Sequence, residues 1–202
     1  MILKIFPENI NDKFIEKAIK SLKDGGIIII PTDTVYALAC DIYNNDAIEK
    51  ICRFKKVKIE KANLSFVCFD LSNISEFTKP ISNEIFRLMK NSLPGPFTFI
   101  LNANAKVPAI FKSNKKTIGI RVPDNTIARR LVQDLGNPIM VTSVHDDDAM
   151  MDYLTDPEEI EATLGDKVDL VIDGGPGSLE PSTVVDCTGQ APVLVREGKG
   201  IL

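Results

Sequence analysis

Gly25-Gly26-Ile27-Ile28-Ile29-Ile30-Pro31-Thr32-Asp33-Thr34-Val35-Tyr36-Ala37-Leu38 opens on two glycines, runs through four consecutive isoleucines and breaks at a proline. An uninterrupted β-branched run has no period of two, so neither side of it is built for water. That pattern reads as a strand buried on both faces. Pro31 has no backbone N–H to give a neighbouring strand, so the strand ends there. Two threonines, an aspartate and a tyrosine follow, more polar groups than a turn needs for its own backbone. Open α/β sheets place their ligands at such strand ends, and the Thr32–Thr34 loop is therefore a candidate site.

The rest of the chain supports an α/β reading. Phe14, Ile15, Ala18, Ile19 and Leu22 recur at helical spacing and Gly25-Gly26 ends that helix. An Asp46-x-x-Glu49 box predicts the start of a second helix burying Ile48, Ile51 and Cys52. Lys55 to Lys61 read as a basic loop and Leu64 to Phe69 as a strand. Ser82 is placed to cap a helix whose inner face is Ile85, Phe86, Leu88 and Met89. Pro94-Gly95-Pro96 forms a turn before a strand at Phe97–Leu101. In Thr117–Val122, Ile118, Ile120 and Val122 share a core face. Thr117, Gly119 and Arg121 share the other, a hydroxyl and a cation beside a glycine that leaves room for a ligand. Ile127, Leu131, Val132 and Leu135 make a helix ended by Gly136, and Ile139–Val141 makes a strand running into Thr142-Ser143. Asp146-Asp147-Asp148 reads as a solvated loop. Asp156-Pro157-Glu158-Glu159 opens another helix. Leu170–Ile172, Ser182–Asp186 and Val193–Val195 complete a sheet, and Asp173–Gly177 forms a turn able to close over a ligand. With no repeat or linker, one domain over residues 1–202 with a twisted, mixed sheet is the economical architecture.

Composition excludes several classes. Hydrophobic residues make 44% of the 202 and charged residues 26%, values typical of a globular protein. No apolar run nears the roughly 20 residues of a membrane helix, and Met1-Ile2-Leu3-Lys4 does not start a signal peptide. Cys40, Cys52, Cys68 and Cys187 are scattered and there is one histidine, so no protein-bound metal site or disulfide framework is expected. The expectation is a cytoplasmic protein with reduced thiols. A net charge of −4 argues against coating nucleic acid by bulk charge. Local cations at Arg53, Lys55, Lys56, Lys58 and Lys61, and around Arg121, suit either a nucleotide or an RNA backbone, or are solvated surface.

Five segments in order resemble one family. Pro31–Leu38 is similar to its PTDTVYGL signature, Leu93–Leu101 to its PGPLTLIL segment and Ile118–Asp124 to its RVPDH segment. Pro181–Asp186 is similar to its STVVD and Val193–Gly198 to its LRPG. This is the YrdC-like family, which includes threonylcarbamoyl-AMP synthases, and the YciO-like subgroup resembles this chain most, as in Phe86–Asn91 and Lys116–Gly119. The match spans nearly the whole chain, from about residue 12 to 200, and the chain ends where single-domain members end.

The resemblance implies a twisted α/β sheet around a deep basic cavity. It implies a nucleotidyltransferase that joins L-threonine, bicarbonate and ATP into threonylcarbamoyl-AMP and pyrophosphate, for modification of adenosine 37 in tRNA. Magnesium would enter with ATP. Carried over by position, Lys55 and Arg121 are the catalytic cations. Thr32, Thr34, Arg121 and Ser182 would bind threonine, and Lys55, Thr117, Ser143, His145 and Arg196 would bind ATP.

Three positions depart from the pattern. Val57 stands where synthases carry the arginine of a Lys-x-Arg pair, His145 replaces the asparagine of Ser-x-Asn, and Ala37 replaces the signature's glycine. Two of the three fall on the ATP side. The alternative function is therefore a protein of the same fold that binds tRNA, double-stranded RNA or a nucleotide through Lys56, Lys58 and Lys61, with little or no catalysis.

Overall fold

The computed structural model describes residues 1–62, 64–111, 116–144 and 154–202. In chain order the strands are β1 (Ile2–Lys4), β2 (Ile28–Ile30), β3 (Ala37–Asp41), β4 (Ser65–Val67), β5 (Phe97–Asn102), β6 (Thr117–Arg121), β7 (Ile139–Ser143), β8 (Leu170–Asp173), β9 (Thr183–Asp186) and β10 (Val193–Arg196). The α-helices are α1 (Asp12–Lys23), α2 (Asn45–Phe54), α3 (Asn83–Ser92), α4 (Thr126–Leu135) and α5 (Pro157–Leu164). The strands form one mixed sheet in the order β1-β8-β2-β3-β7-β4-β6-β5-β9-β10. The single-domain α/β architecture is as the sequence led us to expect.

Ile28, Ile29 and Ile30 are all fully buried, because helices cover both faces of β2. Each such side chain contributes roughly 1.5–3 kcal/mol relative to exposure. Buried residues of α1 and α4 pack with Ile28, Ile30 and Ala37. Those of α2, α3 and α5 pack with Ile29, Leu38 and Ile120 on the other side.

Several boundaries differ from the sequence reading. After Pro31 the chain does not stay in a loop but returns as β3, antiparallel to β2. β3 reads Ala-Leu-Ala-Cys-Asp, poor in strand-forming types, and gains its place from β2 and β7 on either side. Asn44, not Asp46, caps α2, its side chain accepting from Ala47 N at 2.9 Å. In α3 the inner face is Ile85 and Met89, with Leu88 half-buried and Phe86 exposed. β1 was not foreseen, and β4 is shorter than predicted. Thr142 and Ser143 lie inside β7 rather than beyond it. The Asp146–Asp148 segment and His145 fall outside the described residues.

Candidate functional site

Pairing of non-consecutive strands builds a continuous floor. Across the sheet, Val141 of β7 stands opposite Ser65 of β4, Ser65 opposite Gly119 of β6, and Gly119 opposite Ile100 of β5. A second row joins Thr98 of β5 to Val184 of β9 and Val184 to Arg196 of β10. These residues line one cavity of about 530 Å³, together with Thr34, Ala37, Thr117, Arg121 and Ser143. Alternation on β6 thus sends Ile118 and Ile120 to the core and Thr117, Gly119 and Arg121 to the cavity. At Gly119 a Cβ would come within 2.5 Å of Ser65 Oγ and 3.2 Å of Thr98 Cγ2. Glycine is needed for this close approach. A bulge after Leu194 turns both Val195 and Arg196 toward the cavity.

At one end, Arg121 is only 6% exposed. Its Nη2 donates to Asp33 Oδ1 at 3.0 Å and to Thr34 Oγ1 at 2.9 Å. Burial pulls its pKa down, the Asp33 carboxylate opposes that, and Arg196 adds to the lowering. Thr34 is fully buried. Thr32 does not line the cavity; its hydroxyl donates to Val35 O at 2.8 Å, accepts from Thr34 N at 3.0 Å and lies 3.0 Å from Thr34 Oγ1. It shapes the loop from behind. Ser182 Oγ shares a 2.7 Å hydrogen bond with Thr98 Oγ1, and its carbonyl accepts from Arg196 Nη2 at 2.8 Å.

Lys55 enters from the C-terminal end of α2 and donates from Nζ to Ser143 O at 3.1 Å. Lys61 is exposed and lines the cavity, and Val57 lines the same wall. Lys56 and Lys58 are exposed and outside it. The lining therefore holds Lys55, Lys61, Arg121 and Arg196 with no carboxylate, among the described residues. The same residues contain no cluster of three or more histidine, cysteine or acidic side chains able to hold a metal. Sequence reasoning missed Ser65 and Thr98. Both read as ordinary strand residues, and the strand order that turns them inward is not written locally. The Asp173–Gly177 turn does not line this cavity: Tyr36 Oη donates to Gly175 O at 2.7 Å and Ser178 N donates to Thr34 O, pinning the turn to the loop.

The described residues thus place cations and hydroxyls around one cavity floored by a face of the sheet. The Sua5/YciO/YrdC family model, described as "Telomere recombination", matches residues 20–198, and the chain belongs to that family. YciO of Escherichia coli K12 is 42% identical over 197 residues, 97% of this chain and 94% of its own length. The crystal structure of E. coli YciO superposes with a TM-score of 0.92, covering 100% of this chain and 97% of that one. Threonylcarbamoyl-AMP synthase of Coxiella burnetii is 28% identical over 180 residues, 89% of this chain and 92% of the relative. P. abyssi Sua5 complexed with L-threonine is 26% identical with a TM-score of 0.89, over 98% of this chain and 57% of that one. Among the described residues no helix is long and apolar enough to cross a membrane.

Proposed function

We propose that this chain is a cytoplasmic nucleotidyltransferase of the threonylcarbamoyl-AMP synthase type. It joins L-threonine, bicarbonate and ATP into threonylcarbamoyl-AMP and pyrophosphate, a precursor for modification of adenosine 37 in tRNA. The observation that carries the reading is one cavity whose described lining has four cations, no carboxylate, and hydroxyls at both ends. In the reaction, threonine nitrogen and bicarbonate condense to a carbamate with loss of water, and a carbamate oxygen bonds to the α-phosphorus. The bond to the β-phosphate oxygen breaks, and pyrophosphate leaves with that electron pair. Such chemistry needs alignment and positive charge more than a protein nucleophile. Arg121, Thr34 and Ser182 take the amino acid. Lys55, with Thr117, Ser143 and Arg196, faces the nucleotide, and magnesium arrives with ATP. Incubation with ATP, magnesium and bicarbonate tests this: pyrophosphate released only when L-threonine is present supports the reading, and threonine-independent release overturns it. Val57→Arg, restoring a guanidinium on the Lys55 wall, is expected to lower KM for ATP about tenfold or more.

A second reading follows from Val57 and from the placement of Lys56 and Lys58 outside the cavity. In it the chain binds tRNA or double-stranded RNA along that basic surface and makes no adenylate. Binding would weaken steeply with salt.

A further inference from the structure

Asp33, in the middle of the opening loop, ties it to three other parts of the chain. Its Oδ1 accepts from Arg121 Nη2 at 3.0 Å, its Oδ2 accepts from Asp124 N at 3.0 Å, and its carbonyl accepts from Lys199 Nζ at 2.7 Å. The Asp33 and Arg121 side chains are both 8% exposed. Asp33 does not line the cavity, whereas Arg121 does. Both hydrogens of Arg121 Nη2 are committed, to Asp33 and Thr34. Nε is buried and has no partner among the described residues.

A guanidinium grips a carboxylate through two neighbouring N–H groups. Here a ligand that used Nη2 would have to displace Asp33 or Thr34. An acid anchored at three of its oxygens, in a buried pair, is poorly suited to leaving. Both paired edges of a guanidinium, Nε with Nη2 and Nη1 with Nη2, run through Nη2, so with Nη2 committed a ligand oxygen meets Nε–H or Nη1–H singly. We propose that Asp33 is a positioning residue: it stays on Arg121 Nη2 and holds the guanidinium so that Nε–H or Nη1–H receives one oxygen of the substrate carboxylate. This rests on the amino-acid reading of the cavity. It differs from that reading in assigning the fixed orientation of Arg121 to a residue that never meets the substrate.

The test follows the Arg121 Nε–H proton by ¹⁵N nuclear magnetic resonance, in the full chain and in Asp33→Asn. The amide keeps an oxygen for Asp124 N but loses the charge that fixes Arg121. Exchange of the Nε proton with water is expected to accelerate at least about tenfold in Asp33→Asn, and L-threonine to bind about tenfold or more weakly by calorimetry. ATP binding is expected to stay within about twofold. Nε exchange within about twofold of the parent chain overturns the proposal, as does equal or tighter L-threonine binding. If Asp33→Asn does not fold, Asp33→Glu decides the matter. It retains the charge but displaces it by one methylene, so changed Nε exchange supports positioning and parent-like exchange opposes it. If L-threonine leaves the Arg121 signal of the parent chain unmoved, the threonine reading fails, and the Asp33 effect on exchange is still measured.

Discussion

Gly119 is the residue on which the cavity floor depends. A methyl there would meet Ser65 Oγ at 2.5 Å, well inside ordinary contact, and Ser65 is itself fixed between β6 and β7. Gly119→Ala is expected to lose about 1–3 kcal/mol by overpacking. Urea unfolding measures this; the loss should come as a lower midpoint with an unchanged slope. Tyr36 is a different case, because its hydroxyl is used only inside the protein. It donates to Gly175 O at 2.7 Å and accepts from Gly174 N at 3.2 Å. Burial pushes its phenol up to about 12, so the folded state favours the neutral form. Its contribution is complete below the ordinary value near 10 and is lost as pH rises toward about 12. Tyr36→Phe is expected to be less stable at pH 8. Its unfolding midpoint should then fall less than the parent's between pH 10 and 12. The buried thiols Cys40 and Cys68 also have raised values, but they titrate in both proteins and cancel in the comparison.

The start of α2 decides where Lys55 ends up, since Lys55 is the residue that closes that helix. Asn44 makes the cap, and its side chain lies against Gly25, whose φ of +82° no β-carbon residue adopts easily. Asn44→Ala is expected to cost about 1 kcal/mol, and Asp46→Ala less than about 0.5 kcal/mol. Thermal unfolding of the pair separates the two candidate caps. The Asp46-x-x-Glu49 pattern was misleading because Asn44, two residues earlier, starts the helix by accepting from Ala47 N and leaves Asp46 inside the first turn. Helices were otherwise legible from apolar spacing, as at Ile127, Leu131, Val132 and Leu135, all buried in α4. Phe86 was not, because aromatic bulk on a helix says little about which neighbour will cover it. β3 was hidden for a related reason: alanine and cysteine suit a strand only when strands pair with both of its edges and helices cover its faces. The β6 alternation was legible because its glycine and arginine sit at positions that cannot belong to a core face.

The molecule carries a net charge of −4, yet its described residues gather four cations around one cavity and leave Lys56 and Lys58 outside it. That separation, invisible in a sequence that strings Lys55, Lys56, Lys58 and Lys61 together, makes the two functional readings distinguishable. Strand order brings Ser143 to Lys55 and Arg196 to Ser182 across 88 and 14 residues of chain. Composition registers only a basic run. Lys56 and Lys58 point to solvent, where replacement by glutamine should leave folding unchanged within about 0.5 kcal/mol. If RNA is the partner, the double variant should weaken RNA binding and lower the dependence on salt by about two phosphate contacts. If adenylate formation is the activity, the same variant should keep threonine-dependent pyrophosphate release. Lys55→Met should then abolish that release. Lys55 bridges α2 to β7 through Ser143 O, so this variant also calls for a thermal unfolding control. Measured together, retained release with lost RNA binding in Lys56→Gln/Lys58→Gln would mean one chain with two separate anionic surfaces. Loss of both in that variant would mean that the lysines outside the cavity act on its contents at a distance, which their exposure and Debye screening over about 8–10 Å oppose.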